Sequence, residues 1–141
     1  MKAKPFIIGF LAVVAAIAAF SIYFSATVDR AVKSFTIVVS PDGKYKAVKI
    51  TLAIGGASPF CFDSISVVFA AYPDNFAERD KAYEIYSGPC GSFADREPSP
   101  KIDWLSNTAL QITYANNPAK KPKLKDIDVT KTVHVTFLSL P

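Results

Sequence analysis

The feature that most constrains this chain is an uncharged apolar run near its N-terminus. Residues 6–24 read FIIGFLAVVAAIAAFSIYF, nineteen positions without a charge and with one serine. As an α-helix this run is roughly 28 Å long, close to the hydrocarbon thickness of about 30 Å. A helix also satisfies its backbone polar groups internally, as lipid requires. The sequence therefore predicts a transmembrane anchor, with Tyr23 at the interface and Asp29 and Arg30 back in water.

A cleavable signal peptide is the alternative interpretation of the same run. Lys2 and Lys4 form a positively charged start, and Ala19-Phe20-Ser21 places small residues where a signal peptidase needs them. A typical signal peptide has a shorter apolar core, of about 7–15 residues. We therefore favour a retained anchor over cleavage near Ser21.

The apolar run also divides the chain and predicts its location. Residues 1–30 form the anchor or signal segment, and residues 31–141 form an exported domain. Lys2 and Lys4 favour a cytoplasmic N-terminus. We expect a single pass through the inner (cytoplasmic) membrane, with the C-terminal domain in the periplasm or outside the cell; the alternative is a secreted protein.

The two cysteines of the chain, Cys61 and Cys90, fit this location. Both fall in the exported part, where disulfides persist. A bond between them would close a loop of about 30 residues, for which the chain-entropy model gives roughly 3–4 kcal/mol. Two cysteines without a Cys-x-x-Cys pattern, and with one distant histidine, cannot fill a tetrahedral zinc site. We expect a structural disulfide, with two buried free thiols as the alternative.

From residue 34 onward the hydrophobic pattern has a period of two, which is typical of β-strands. The turn Pro41-Asp42-Gly43 leads into a strand whose apolar residues alternate with polar ones and mark one buried face: Val48, Ile50, Leu52 and Ile54. Seven short strands are predicted, at residues 35–40, 48–54, 64–72, 83–87, 101–106, 109–115 and 132–138, with at most one helical turn in 74–83.

These strands predict an all-β domain behind the N-terminal transmembrane helix. Hairpin-linked strands at this spacing favour a small antiparallel β-meander, either a sandwich or a partly open barrel. A β-propeller is excluded, because its repeats of roughly 40–45 residues share one turn signature and SPDGK occurs once.

A resemblance to a known family rests on the stretch from residue 37 to residue 115. Ser40-Pro41-Asp42-Gly43-Lys44-Tyr45 entering an apolar strand, Gly55-Gly56-Ala57 after it, and later Ile102-Asp103-Trp104-Leu105 carry the likeness. They resemble a family of small exported bacterial proteins of unknown function, single-anchored or lipidated. This chain has Ser58-Pro59 and a cysteine where that family continues with threonines. The resemblance implies a β domain facing the periplasm or cell exterior, and it transfers no catalytic residues.

Candidate catalytic residues are few and scattered. His134, the one histidine, is expected to point outward from its strand, without an orienting partner. The carboxylates in strand ends and loops are Asp63, Glu84, Asp95, Glu97 and Asp103. A pair of them could serve a hydrolase, although solvated turn residues are the simpler interpretation. No phosphate-binding glycine loop is present, and we expect no cofactor and no metal.

One charge cluster stands out, in the segment AKKPKLK at residues 119–125. It contributes to a net charge of +4 and a pI near 9.1. Its lysines are the candidate contacts for an anionic polymer or lipid headgroups: Lys120, Lys121, Lys123 and Lys125. A solvated loop, kept extended by repulsion and by Pro118 and Pro122, is the simpler interpretation. Nucleic-acid binding is not expected, because no aromatic residues are interleaved with the lysines.

The positions of three aromatic residues follow from their neighbours in the sequence. Trp104 shares a strand face with Ile102 and is expected in the core. Phe60 and Phe62 flank Cys61. They would either cover the disulfide, which we favour, or form an exposed apolar rim for a partner.

The leading functional hypothesis is non-enzymatic: a membrane-anchored extracytoplasmic β domain that binds another envelope protein or a polymer. An exposed sheet edge or the loop at residues 116–126 would be the contact surface. The alternatives are an envelope hydrolase that uses loop carboxylates, and a secreted inhibitor or immunity-type protein released by cleavage after Ser21.

Overall fold

The computed structural model describes residues 13–20, 31–55 and 59–141. Residues 13–20 are helical, whereas residues 6–12 and 21–24 of the expected anchor lie outside the described residues. Among the residues described, no helix is long and apolar enough to cross a membrane. The anchor therefore stays a prediction.

The domain that follows is mostly β-structure with few helices, as the alternating pattern predicts. Its strands are β1 Val32–Val39, β2 Tyr45–Ile54, β3 Phe60–Phe69, β4 Glu84–Pro89, β5 Gly91–Ser92, β6 Pro98–Ser99, β7 Lys101–Trp104, β8 Ala109–Ala115, β9 Lys123–Leu124 and β10 His134–Leu140. A one-turn helix, Phe76–Arg79, and a 3-10 helix, Lys81–Tyr83, fill the segment where one helical turn is predicted.

The SPDGKY stretch forms the hairpin between β1 and β2, in antiparallel register from Val39 opposite Lys46 to Val32 opposite Ala53. Gly43 has a φ of 71°, which favours glycine. The Ser40 hydroxyl donates to Asp42 Oδ1 at 2.8 Å and accepts from the Tyr45 backbone N–H at 3.0 Å. These side-chain bonds close the turn, and the predicted hairpin is confirmed.

Two sheets form the sandwich. The larger has the order β1-β2-β3-β4-β9 and is antiparallel throughout. The smaller has the order β10-β8-β7, and here the meander expectation fails: β10 pairs with β8 in parallel. After β8 the chain crosses to the large sheet, where β9 pairs with β4, and it then returns to the small sheet as β10. On this path β10 runs in the same direction as β8. A separate β5–β6 pair lies beside these sheets.

The core fills the space between the two sheets. Ala47, Ile65 and Val67 of the large sheet pack with Leu110 and Ile112 of the small one. Ile102 and the half-buried Trp104 pack against this cluster, as expected for Trp104.

The large sheet is also covered on its outer face, by the short helical segment. The alternation in β2 does not distinguish this face from the one that packs on the small sheet. Val48 and Ile50, expected to face the main core, instead pack beneath the short helices with Val68, Ala77 and Phe76. Leu52 and Ile54, on the same face, are half-buried. Both faces of β2 therefore carry apolar contacts, so the pattern alone could not tell which face meets the second sheet.

Candidate binding surface

The predicted Cys61–Cys90 disulfide is present and joins β3 to the residue that directly follows β4, at one end of the large sheet. The two Cα atoms are 5.3 Å apart, and the Cys90 N–H donates to the Cys61 carbonyl at 3.2 Å. Among the residues described, no cysteine is free. The disulfide and the strand ends around it are called the disulfide end below.

Phe60 and Phe62 pack on each other at this end rather than on the disulfide. Their ring centroids are 6.1 Å apart and their planes differ by 7°. Because side chains alternate along a strand, both rings lie on the face opposite Cys61. Ile54 pairs with Phe60 on the same outer face. Phe60 is 46% exposed, and Phe62 and Ile54 are half-buried, so these three residues, termed the aromatic tip, form a partly exposed rim and do not cover the disulfide.

A shallow groove runs beside the aromatic tip. Its volume is about 350 Å³, and its floor is formed by Phe62, Ser87, Gly88 and Pro89. Three lysines line it: Lys120, Lys121 and Lys123. Within the described ranges these lysines are exposed, and none forms an ion pair. We term this feature the lysine groove.

Strand pairing and one close packing contact hold the lysine segment in place. Lys123 lies opposite Ser87 in the β9–β4 pair. A Cβ on Gly88 would lie 2.9 Å from Pro122 Cβ, so the absence of a side chain at Gly88 lets Pro122 approach β4. The segment is solvated, as the simpler interpretation expects, but its residues 123 and 124 form the short strand β9 of the large sheet and are not loop.

Lys125 is separated from the other three lysines. Its Nζ donates to the Ala82 carbonyl at 3.1 Å, beside the 3-10 helix. The structure thus brings three of the four candidate lysines together.

Most of the candidate catalytic residues do not converge. Glu84 pairs with Lys81 at 3.2 Å, and Asp95 accepts from the Glu97 backbone N–H at 3.0 Å. Glu97 and Asp103 do line one open groove of about 290 Å³. His134 is exposed, as expected. Among the described residues, no group of three acidic, histidine or cysteine side chains could hold a metal ion.

Asp63 was expected among solvated turn residues, but it is buried on the inner face of β3. Burial raises the pKa of its carboxyl, although the Thr51 hydroxyl donates to it at 2.5 Å and Lys49 lies near. Burial, with the charge of Asp63, also raises the pKa of Tyr86 to about 12. Among the described residues, Asp63 does not line any of the four grooves that lie at the disulfide end, beside the 3-10 helix and beside β7, so nothing brings a substrate to this carboxyl.

Asp128 is a second buried carboxyl, and its role was not predicted. Burial by itself would raise its pKa, but hydrogen bonds from the Thr130 hydroxyl and from backbone N–H groups hold the pKa below its usual value. Oδ1 accepts from Thr132 and Val133 at 2.9 and 2.8 Å, and Oδ2 accepts from the Thr130 N–H at 3.0 Å. The spacing Asp-x-Thr-x-Thr was the available signal for this turn.

No family model, curated protein or solved structure matches the chain. The resemblance drawn from residues 37–115 stays a prediction.

Proposed function

We propose that the protein is a membrane-anchored extracytoplasmic β domain that binds another envelope protein without catalysing a reaction. The single observation that carries the proposal is the free edge of β1. In the described part of the chain, β1 is the outermost strand of the large sheet and pairs only with β2. An unpaired strand edge is a ready template for pairing with another chain.

The composition of β1 supports a role in pairing. Its sequence, VKSFTIVV, holds one charged residue, Lys33, and that lysine forms an ion pair with Glu78. Phe35, Ile37 and Val39 share the outer face and are each more than one-third exposed. Natural edge strands are commonly protected by charges, prolines or bulges. Because β1 lacks most of these protections, strand addition by a partner is the recognition mode that fits it best.

Two features support the location of the domain. The charge-free run at residues 6–24 has the length of a membrane span, and a Cys61–Cys90 disulfide fits an oxidising compartment. If the anchor is retained, alkaline carbonate leaves the protein in the membrane pellet and its intact mass includes residues 1–21. Release into the supernatant at full length, or a mature chain that begins after Ser21, would contradict the anchor.

Site-specific photo-crosslinking in intact envelopes tests the binding edge. A photoreactive residue at Val39 of the full-length chain is expected to form an adduct with a protein partner. Ile37→Lys should abolish that adduct, because a charge on an edge strand opposes pairing. The matched control is Leu138→Lys, at a residue that is 45% exposed on β10 of the other sheet, and it should leave the adduct unchanged. An adduct that survives Ile37→Lys would count against the proposal.

An envelope hydrolase is the second candidate, favoured by the groove that Glu97 and Asp103 share with Lys49 and Lys101. Two carboxyl groups about 5–10 Å apart can cleave a glycosidic bond by acid–base chemistry. Glycan cleavage by the purified full-length protein that is lost in both Glu97→Gln and Asp103→Asn, but kept in the exposed control Asp126→Asn, would establish this alternative in place of the first.

A further inference from the structure

We propose that the disulfide end of the domain lies against an anionic lipid bilayer, with the aromatic tip at the interface and the lysine groove over the headgroups. The inference rests on the proposed anchor for its geometry. It adds an orientation for the domain and a second surface, separate from the β1 edge.

The path of the chain places the disulfide end closest to the predicted anchor. Val32, at the start of β1, lies opposite Ala53, which lies opposite Cys61. Two strand spacings of about 4.8 Å therefore separate the start of β1 from the disulfide. Seven residues, 25–31, connect the apolar run to β1, and they can span at most about 25 Å. The disulfide end is therefore held within reach of the membrane surface.

The aromatic tip has the chemistry of an interfacial contact. Phe60 is 46% exposed and stacks on Phe62, and Ile54 lies opposite Phe60. Exposed aromatic and aliphatic side chains at the edge of a domain lose contact with water when they enter the headgroup region. In a domain tethered at this same end, a bilayer is the nearest apolar phase.

The lysine groove supplies charge of the matching sign. Lys120, Lys121 and Lys123 line it, and no carboxylate of the described residues does so. A lysine near an anionic surface contributes about 1 kcal/mol, which is about fivefold in the docking equilibrium. Three lysines together contribute about a hundredfold.

The position of the groove favours a bilayer over a soluble anionic polymer. Phe62 belongs both to the aromatic tip and to the floor of the groove. A polyanion would pair with the lysines and leave the neighbouring rings in water. A bilayer presents charge and an apolar layer side by side, so it engages both features in one contact.

Fluorescence quenching in reconstituted vesicles tests the docking. The natural chain has one tryptophan, Trp104, whose Nε1 donates to the Val38 carbonyl. Val38 is six residues from Val32 along β1, so Trp104 lies about 20 Å from the disulfide end. Phe60→Trp adds a second fluorophore at the tip. In vesicles that contain brominated and anionic lipids, we expect quenching of the added emission and little quenching of Trp104 in the natural chain.

Charge variants test the contribution of the groove. Replacing all three groove lysines by glutamine in the Phe60→Trp chain should lower the docking constant about a hundredfold, measured by titrating the anionic lipid fraction. The control removes the same charge, again by glutamine, from exposed basic residues that do not line the groove: Lys44, Arg79 and Lys131. It should leave quenching unchanged. Equal loss in the two triple variants would overturn the role of the groove.

Two further outcomes would overturn the inference and separate it from the anchor. Unquenched Phe60→Trp in a chain that resists carbonate extraction would refute docking and leave the anchor intact. Acetylation of the groove lysines that is blocked by polyphosphate, but not by anionic vesicles, would assign the groove to a polymer. Carbonate release of a chain that is still quenched on anionic vesicles would support docking and refute only the anchor.

Discussion

Removal of the Cys61–Cys90 bond is expected to cost most of the stabilisation that a cross-link of this length provides. The bonded residues are 29 positions apart in sequence. In the chain-entropy model a loop of this size gives about 3.6 kcal/mol at 25 °C. For a domain of roughly 110 residues, an unfolding entropy of about 2.1 cal/mol/K per residue converts this loss into a fall of about 15 °C in Tm.

The local structure indicates that the disulfide stabilises the domain mainly by restricting the unfolded chain. The two Cα atoms are 5.3 Å apart, within the ordinary range for disulfides. The Cys90 N–H also donates to the Cys61 carbonyl, and Phe62 pairs with Pro89 in the same register. These contacts hold β3 against β4 without the bond, so a Cys61→Ala/Cys90→Ala variant should keep the native fold.

The assay is thermal unfolding of the full-length chain in a nonionic detergent, followed by far-UV circular dichroism. The natural chain under strong reductant is the matched control, and its Tm should fall by the same amount as that of the double variant. A fall below about 4 °C in both, with the bond verified by mass in the oxidised chain, would refute the reasoning, because it corresponds to only about 1 kcal/mol.

Three further substitutions test other parts of the fold by chemical denaturation. Gly43→Ala should destabilise the domain by about 1 kcal/mol, since its φ of 71° disfavours a side chain while no atom lies within 4 Å of the new Cβ; no measurable loss would contradict the turn geometry. Gly88→Ala should cost more than Gly43→Ala, because its Cβ would lie 2.9 Å from Pro122 Cβ, and an equal cost would mean that Pro122 moves freely. Asp128→Asn should destabilise at pH 7 and lose its effect at low pH. The pKa of Asp128 is lowered in the fold, so its stabilisation is present above the unfolded pKa of about 3.9 and is lost as the pH falls through the folded pKa; a pH-independent difference between the two proteins would argue against that role.

The elements that sequence predicts well are those determined by local pattern. All seven expected strands are present, because alternation and turn residues act within a few positions. The strand at 109–115 has the predicted ends, and the other six have shifted ends. The two-residue strands β5, β6 and β9 are too short to carry a period. The direction of β10 is a different case: its apolar alternation is the same in a parallel and an antiparallel pair, so Val135 and Phe137 could not report on it.

Asp63 illustrates why the burial of a residue near a strand end cannot be predicted from the sequence around it. In the sequence FCFDSIS, the aspartate is typical of a residue that precedes a strand, so the strand is predicted to begin at residue 64. In the fold, Thr51 lies directly opposite on β2 and donates to the carboxyl. That hydrogen bond offsets part of the cost of burial, which allows β3 to begin at Phe60. The partner is twelve residues away in sequence, so no local pattern around Asp63 could reveal it.

The same dependence on strand pairing explains why the sequence does not reveal the proposed docking surface. Ile54, Phe62, Pro89 and Lys123 come from four separate strands. The sequence marks the lysine segment and the two phenylalanines separately, but nothing local to either shows that they lie together. The register places Ile54 opposite Phe60, Phe62 opposite Pro89, and Lys123 opposite Ser87. Because alternate residues share a face, a slip of one position in any of these pairs would move a side chain to the opposite face. The Cys61–Cys90 bond joins β3 to the residue that follows β4, so a covalent link reinforces the strand pairing that brings charge and apolar surface together.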